Sequence, residues 1–168
     1  SKLIERYEPH VKLINMEMSV DATSWTQVTK LKADDGARED LFGESVAISD
    51  GTIVVGAYQD DDNGRDSGSA YIFEKIRSSW MQVAKLTADD GAAWHLFGAS
   101  VSISDGIVAV GARSSDRADG YGSVYIFEKS SSDDASSWTQ VAKLTADDGA
   151  NGDDFGYSVA IRDGNIVI

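Results

Sequence analysis

The sequence has no cysteine, so disulfides and a zinc site with thiolate ligands are both excluded. Only two histidines occur, His10 and His95, far apart along the chain. No Ser-His-Asp order, glycine-rich phosphate loop or His-Glu-x-x-His run appears. Proline is nearly missing, with Pro9 alone. Apolar runs such as Ile53-Val54-Val55 fall far short of the roughly 20 residues that a membrane-crossing helix needs. Basic residues are scarce. Against 28 Asp and Glu stand 15 Lys and Arg, for a formal net charge of −13. Such a polyanion repels nucleic acid, whose binding relies on Lys and Arg against phosphate. It repels anionic membrane surfaces too, and it suits cations and basic partners. The missing cysteine leaves the compartment open. Beginning at Ser1 with no recognisable leader, the sequence reads as a mature or truncated chain.

What is present is a repeat. The chain has 168 residues with 42% hydrophobic and 16 Gly, enough for one ordinary domain with a core. Turns built on glycine rather than proline suit an all-β protein. Trp25 to Ala37, Trp80 to Ala92 and Trp138 to Ala150 are near-copies, each ending Ala-Asp-Asp-Gly-Ala. Phe42-Gly43, Phe97-Gly98 and Phe155-Gly156 follow them at the same offsets. The longer third interval falls in the 130–137 loop, where an insertion costs little.

Four strand signals fill each copy, bounded by Gly, Asp and Ser turns. In the first copy they are Glu44 to Ser49, Ile53 to Ala57, Ser69 to Glu74 and Trp80 to Leu86. Asp50-Gly51, Asp105-Gly106 and Asp163-Gly164 join the first two strands of each copy as tight hairpins. Val46 and Ile48 alternate with Ser45, Ala47 and Ser49, so one face stays small enough for a neighbouring sheet to approach. Tyr71 and Phe73 recur as Tyr125 and Phe127, large side chains to fill the gap between sheets. Four strands in about 55 residues describe a propeller blade. The expected fold is therefore all-β, with blades of four antiparallel strands in a partial propeller. Two blades are full and a third is split or incomplete. A β-sandwich is the alternative. Residues 1–24 form an N-terminal segment, a strand or a tail; 25–168 hold the repeats. Val11 to Asn15 falls where Val124 to Glu128 would, with Leu13 at the Ile126 position.

These motifs carry a resemblance. Phe42-Gly43-Glu44-Ser45-Val46 with Val55-Gly56-Ala57, and Phe97-Gly98-Ala99-Ser100-Val101 with Val110-Gly111-Ala112, resemble the FG-GAP repeat. Phe155-Gly156-Tyr157-Ser158-Val159 begins a third copy. The family is similar to the integrin α-subunit propeller, and it implies ligand binding on a propeller face and calcium in a loop between strands. Fold analogy alone does not establish such a function.

On that footing the acidic loop Tyr58 to Gly68 is the leading calcium candidate, because calcium takes six to eight oxygens. The loop departs from the family pattern Asp-x-Asp-x-Asp-Gly-x-x-Asp, which can be laid on it in two registers. One places Asp61 and Asn63 before Gly64, with Gln59 and Ser67 standing where acids belong. Shifted by one, it uses Asp60, Asp62 and Asp66. The candidate ligands are Asp60, Asp62, Asn63 and Asp66, with Asp116 and Asp119 in the poorer second loop, where Arg113 and Arg117 offset charge. The alternative is an acidic solvated hairpin loop. The pairs Asp34-Asp35, Asp89-Asp90 and Asp147-Asp148 could serve acid–base chemistry, but their recurrence reads as turn formation. Ser45, Ser100 and Ser158 read as packing residues, and so do Trp25, Trp80 and Trp138. Trp94 and His95 replace the Glu39-Asp40 and Gly152-Asp153 of the other copies. They are the candidate partner contact, or else Trp94 folds back over its own blade.

The expected function is a non-catalytic interaction or adhesion module, extracellular or at the cell surface, supported by calcium. It would take a protein or glycan ligand, or sister subunits, either as a homo-oligomer or within a longer chain. Nucleic-acid binding and membrane insertion are not expected. The alternatives are a structural subunit of a larger complex or filament, and an accessory propeller of a larger enzyme.

Overall fold

The computed structural model describes residues 10–18, 23–114, 120–130 and 137–168, and of 15–18 and 23 only the backbone. Every regular element among these residues is a β-strand. β1 (Val11–Met18) and β2 (Thr23–Leu31) form a hairpin. β3 (Val46–Ser49), β4 (Thr52–Ala57), β5 (Ser69–Ile76) and β6 (Ser79–Leu86) form a four-stranded sheet in chain order. β7 (Phe97–Ser104), β8 (Ile107–Ala112), β9 (Ser123–Lys129) and β10 (Trp138–Leu144) repeat it. β11 (Ala160–Arg162) and β12 (Asn165–Val167) form a last hairpin. All named pairings are antiparallel.

The two sheets are blades, and the two hairpins, which do not pair with each other, match the outer and the inner half of a blade. β1 pairs with β2 as β9 pairs with β10: Leu13 lies opposite Thr29, and Ile126 opposite Ala142. Lys12 and Lys30 correspond to Tyr125 and Lys143. The first hairpin is thus an outer strand pair, while β11–β12, opening on Val159 and turning at Asp163-Gly164, is an inner one. In the inner turns Asp50 and Gly51 have φ of 47° and 77°, and Asp105 and Gly106 have 51° and 75°. Two successive positive φ values define the hairpin turn whose twist suits the flanking strands.

The middle strands β4, β5, β8 and β9 are covered on both faces and are buried almost throughout. Between the blades, Val54, Ile72 and Leu86 pack on Phe97, Val101, Ile103, Val110, Tyr125 and Phe127. On the outer side of the first blade, Ile53, Val55, Tyr71 and Phe73 meet Leu31, Phe42, Val11 and Leu13 of the N-terminal hairpin and its loop. β11–β12 closes the other side, with Val159 and Ile166 on Ala109, Val124 and Ile126. The phenylalanine of each Phe-Gly plugs the gap. Phe42 stands edge-on to Tyr71 and Phe73 at 5.5 and 6.1 Å. Phe97 stands at 5.5 and 5.9 Å from Tyr125 and Phe127. Edge contacts of this kind add to the burial energy. Trp80 and Trp138 pack at the border of these clusters, whereas Trp25 is exposed. The expected packing role therefore holds for two tryptophans and not for the third, against which no blade lies among the described residues.

Candidate functional site

The polar chemistry of the chain collects at the seams between copies. The Ala-Asp-Asp-Gly turns do close locally, with Gly36 N–H donating to Ala33 O and Gly91 N–H to Ala88 O. Their second task is to reach the next outer strand. Asp34 N–H donates to the Gln82 side chain at 3.0 Å, and Asp89 N–H to Gln140 at 3.1 Å. Asp35 accepts from the Lys85 ammonium at 2.7 Å. Asp90 accepts from Lys143 at 2.5 Å and from the Tyr125 hydroxyl at 2.8 Å. A second staple lies further in. Ser45 Oγ donates to Gly98 O at 2.7 Å, and Ser100 Oγ to Gly156 O at 2.7 Å. Ser45 and Ser100 are inter-copy hydrogen-bond donors as well as small packing residues, whereas Ser158, expected to pack as they do, is exposed because no further copy lies against it among the described residues.

The acidic loop sits at the first seam. Asp60 is 4% exposed, and its carboxylate is fully engaged. One oxygen accepts from Asp62 N–H at 3.1 Å and Ser69 Oγ at 2.9 Å. The other accepts from the Tyr71 hydroxyl at 3.0 Å and Lys85 Nζ at 3.1 Å. Asp62 reaches the same ammonium at 2.5 Å. Asn63 and Asp66 are not brought to this centre by any bond. Asn63 N–H donates to Ser67 Oγ. Asp66 N–H donates to Asp61, and the Asp66 carboxylate faces Arg65 at 3.7 Å. Among the described residues no group of three or more His, Cys, Asp or Glu is placed so that it could hold a metal ion. The donor set of this loop therefore does not fit a calcium ion as it stands, since the ammonium holds the shared space. Asp116 and Asp119 lie outside the described residues.

Charge balance at the seams shifts the carboxyls. Burial pushes Asp35 and Asp90 up. Hydrogen bonds from Lys85 and Lys143, with their charge and the nearby tyrosine hydroxyls, outweigh it and hold both below the usual range. Lys85 and Lys143 are disfavoured by burial but raised overall by their carboxylate partners. Burial raises Asp40, and the bond from Ala37 N–H offsets this only in part. A depressed carboxyl stabilises the fold above its unfolded value, near 3.9, and that stability is lost as pH falls through the folded value. Asp40 contributes in the opposite direction. Urea midpoints should therefore fall as pH drops below about 4, and Asp90→Asn should make that fall shallower. A variant with the full acid dependence of the native chain would show that the Asp90 contact is not formed.

Trp94 and His95 occupy the loop before the second Phe-Gly. Trp94 has φ of 70°, and its N–H donates to Arg65 O at 2.7 Å. The Arg65 guanidinium lies 4.7 Å from the exposed Trp94 ring. His95, half-buried, lines a hollow of about 240 Å³ with Ser114, Ser123, Tyr125 and Lys143. Nearby, Arg113 stacks between Tyr58 and Tyr157 at 5.5 and 5.3 Å, so one side chain touches all three copies. On the same loop face, Arg38, Glu39, Gln59, Asp61 and Arg65 line an open cleft of about 430 Å³.

The FG-GAP repeat model matches residues 25–73, 80–127 and 138–168, which is most of the chain. The chain belongs to the FG-GAP repeat family. Its repeat boundaries place the seam bonds in family terms: those of Gln82, Lys85, Gln140, Lys143, Ser45 and Ser100 each run from one FG-GAP copy to the next. No curated protein matches the sequence.

Proposed function

We propose that this FG-GAP chain is a non-catalytic interaction module, and that its partners are further blades supplied by a sister copy. One comparison supports this reading. Val101 and Ile103 of β7 are 9% and 7% exposed, covered by the first blade, while their counterparts Val46 and Ile48 of β3 are 53% and 60% exposed. The outer hairpin β1–β2 covers only the outer part of that face. The missing cover is an inner hairpin, and β11–β12 has the right residues for it. Val167, the counterpart of the interface residue Val54, is 69% exposed.

The polar seam matches as well. Gln27 and Lys30 on β2 correspond to Gln82 and Lys85, and both are exposed. Asp147 and Asp148 correspond to Asp34 and Asp35 and are exposed too. Laying β1 of one copy beside β12 of another would complete a four-stranded blade and bring these groups together. Open strand edges otherwise invite unspecific pairing.

The non-catalytic reading is supported by Asp35 and Asp90, whose carboxylates are engaged with Lys85, and with Lys143 and Tyr125, at the two described seams. An adhesive role at the cell surface rests on the family resemblance alone. The same open faces also favour a structural subunit of a larger assembly. Light scattering of the native chain should give a multiple of 18.0 kDa, and Val46→Asp with Ile48→Asp should return it to the single mass. A native chain that stays at the single mass up to about 100 μM, far above the dissociation constant of a specific dimer, would sink the sister-copy reading.

A further inference from the structure

We propose that the Lys85 ammonium is the built-in cation of the first acidic loop, taking the place between Asp35, Asp60 and Asp62 that a divalent ion would otherwise hold. Three carboxylates from two segments converge on one nitrogen, at 2.7 Å (Asp35), 3.1 Å (Asp60) and 2.5 Å (Asp62). An ammonium has three N–H donors and no acceptor, so this set uses its whole capacity. The 2.7 Å contact to Asp35 has the length of a charge-assisted hydrogen bond.

The surroundings are arranged for a monovalent, directional cation. Nζ lies 5.3 Å from the Tyr71 ring centroid, a cation–π contact. The remaining lone pairs of Asp60 are taken by Ser69 Oγ, Tyr71 Oη and the Asp62 N–H. Calcium needs six to eight oxygens at 2.3–2.6 Å. It could gather them here only by expelling Lys85 and breaking these bonds.

The arrangement also explains why an acid-rich loop folds against a buried carboxylate. The loop spends its own backbone donors internally: Gly64 N–H on Asp61 O, Ser67 N–H on Gly64 O and Gly68 N–H on Asp60 O. What remains is the charge of Asp60, and an unpaired charge at such burial is costly. Lys85 neutralises it from β6, and by bonding Asp35 in the same step it ties the loop to the preceding turn. One lysine thus performs the loop-ordering and seam-closing tasks that a metal would perform in a calcium-stabilised blade.

Calcium titration of the native chain, followed by backbone amide resonances, tests this. The amides of Asp60, Asp62 and Lys85 should stay in place with calcium at about 5 mM, above the range of weak extracellular sites. Saturable movement of those three resonances would overturn the proposal, and it would be distinguishable from binding at 115–119, which would move other residues. In Lys85→Ala the three carboxylates lose their cation. Its melting temperature should fall in chelator and recover by at least about 3 °C with calcium, with the Asp60 and Asp62 amides now shifting. If the variant is unfolded in chelator, calcium should restore its dispersed spectrum. A variant that gains nothing from calcium would show that Lys85 does not stand in a cation site.

Discussion

Gly56→Ala is expected to unfold the chain or to cost about 4 kcal/mol or more, in the range reserved for a named steric or polar fault. Gly56 lies in β4, where the first blade closely approaches Gly98 of the second. A Cβ there would sit 2.0 Å from Gly98 O and 2.3 Å from Ser45 Oγ. Neither obstacle can turn aside. The carbonyl is backbone, and the hydroxyl is held to that same carbonyl. Relief would require the blades to part, losing the Ser45 staple and loosening Val54 and Ile72 against Val101 and Ile103. Overpacking of a tight interior costs about 1–3 kcal/mol, and stranding a buried hydrogen-bonding group costs about 1–3 more. Gly106→Ala is the control. Nothing lies within 4 Å of its Cβ position, but its φ is +75°. The expected cost there is only the roughly 1–2 kcal/mol of a left-handed alanine. Urea unfolding of the two variants side by side decides the matter: equal losses would show that Gly56 serves backbone freedom rather than close approach.

The sequence displays these glycines and serines as a motif but hides what they contact. Phe-Gly-x-Ser-Val and Val-Gly-Ala are visible because they recur. The bond that joins them runs from Ser45 to Gly98 and from Ser100 to Gly156, across copies. In a tandem repeat, donor and acceptor recur together, so spacing alone cannot say whether a residue serves its own copy or the next. The Asp-Asp-Gly pairs illustrate the cost of that ambiguity. Their turn chemistry is legible and present, yet their links to Lys85, Lys143, Gln82 and Gln140 required the three-dimensional stacking. The four-strand blade and its Asp-Gly turns were legible, because hydrophobic alternation and turn residues act locally. The acidic loop was not. Counting carboxylates suggests a metal. The lysine that balances them stands 25 residues beyond Asp60 in the sequence, where no local pattern points to it. The face proposed for a sister copy carried no mark in the sequence. Trp94 stands out in the sequence and is exposed, but a large difference between equivalent positions also lies at Val46 and Ile48, which look identical to their buried counterparts in sequence.

That difference yields the second large effect. Ile103→Ala should cost about 2–5 kcal/mol, because Ile103 is buried against the first blade and its removal leaves a cavity in a packed seam. Ile48→Ala, at the same place in its own blade, should cost under about 1 kcal/mol in the isolated chain, since an exposed side chain loses little on truncation. The two variants should diverge in association instead. If a sister hairpin covers β3, Ile48→Ala should weaken assembly at dilutions where Ile103→Ala is already unfolding. Chemical unfolding at two protein concentrations separates these terms, because only stability gained through association depends on concentration. In the dilute limit a large loss for Ile48→Ala would mean that β3 is covered within a single chain, and the open-blade reading would fail. A small dilute loss that grows with protein concentration would place the missing half of the blade on another copy.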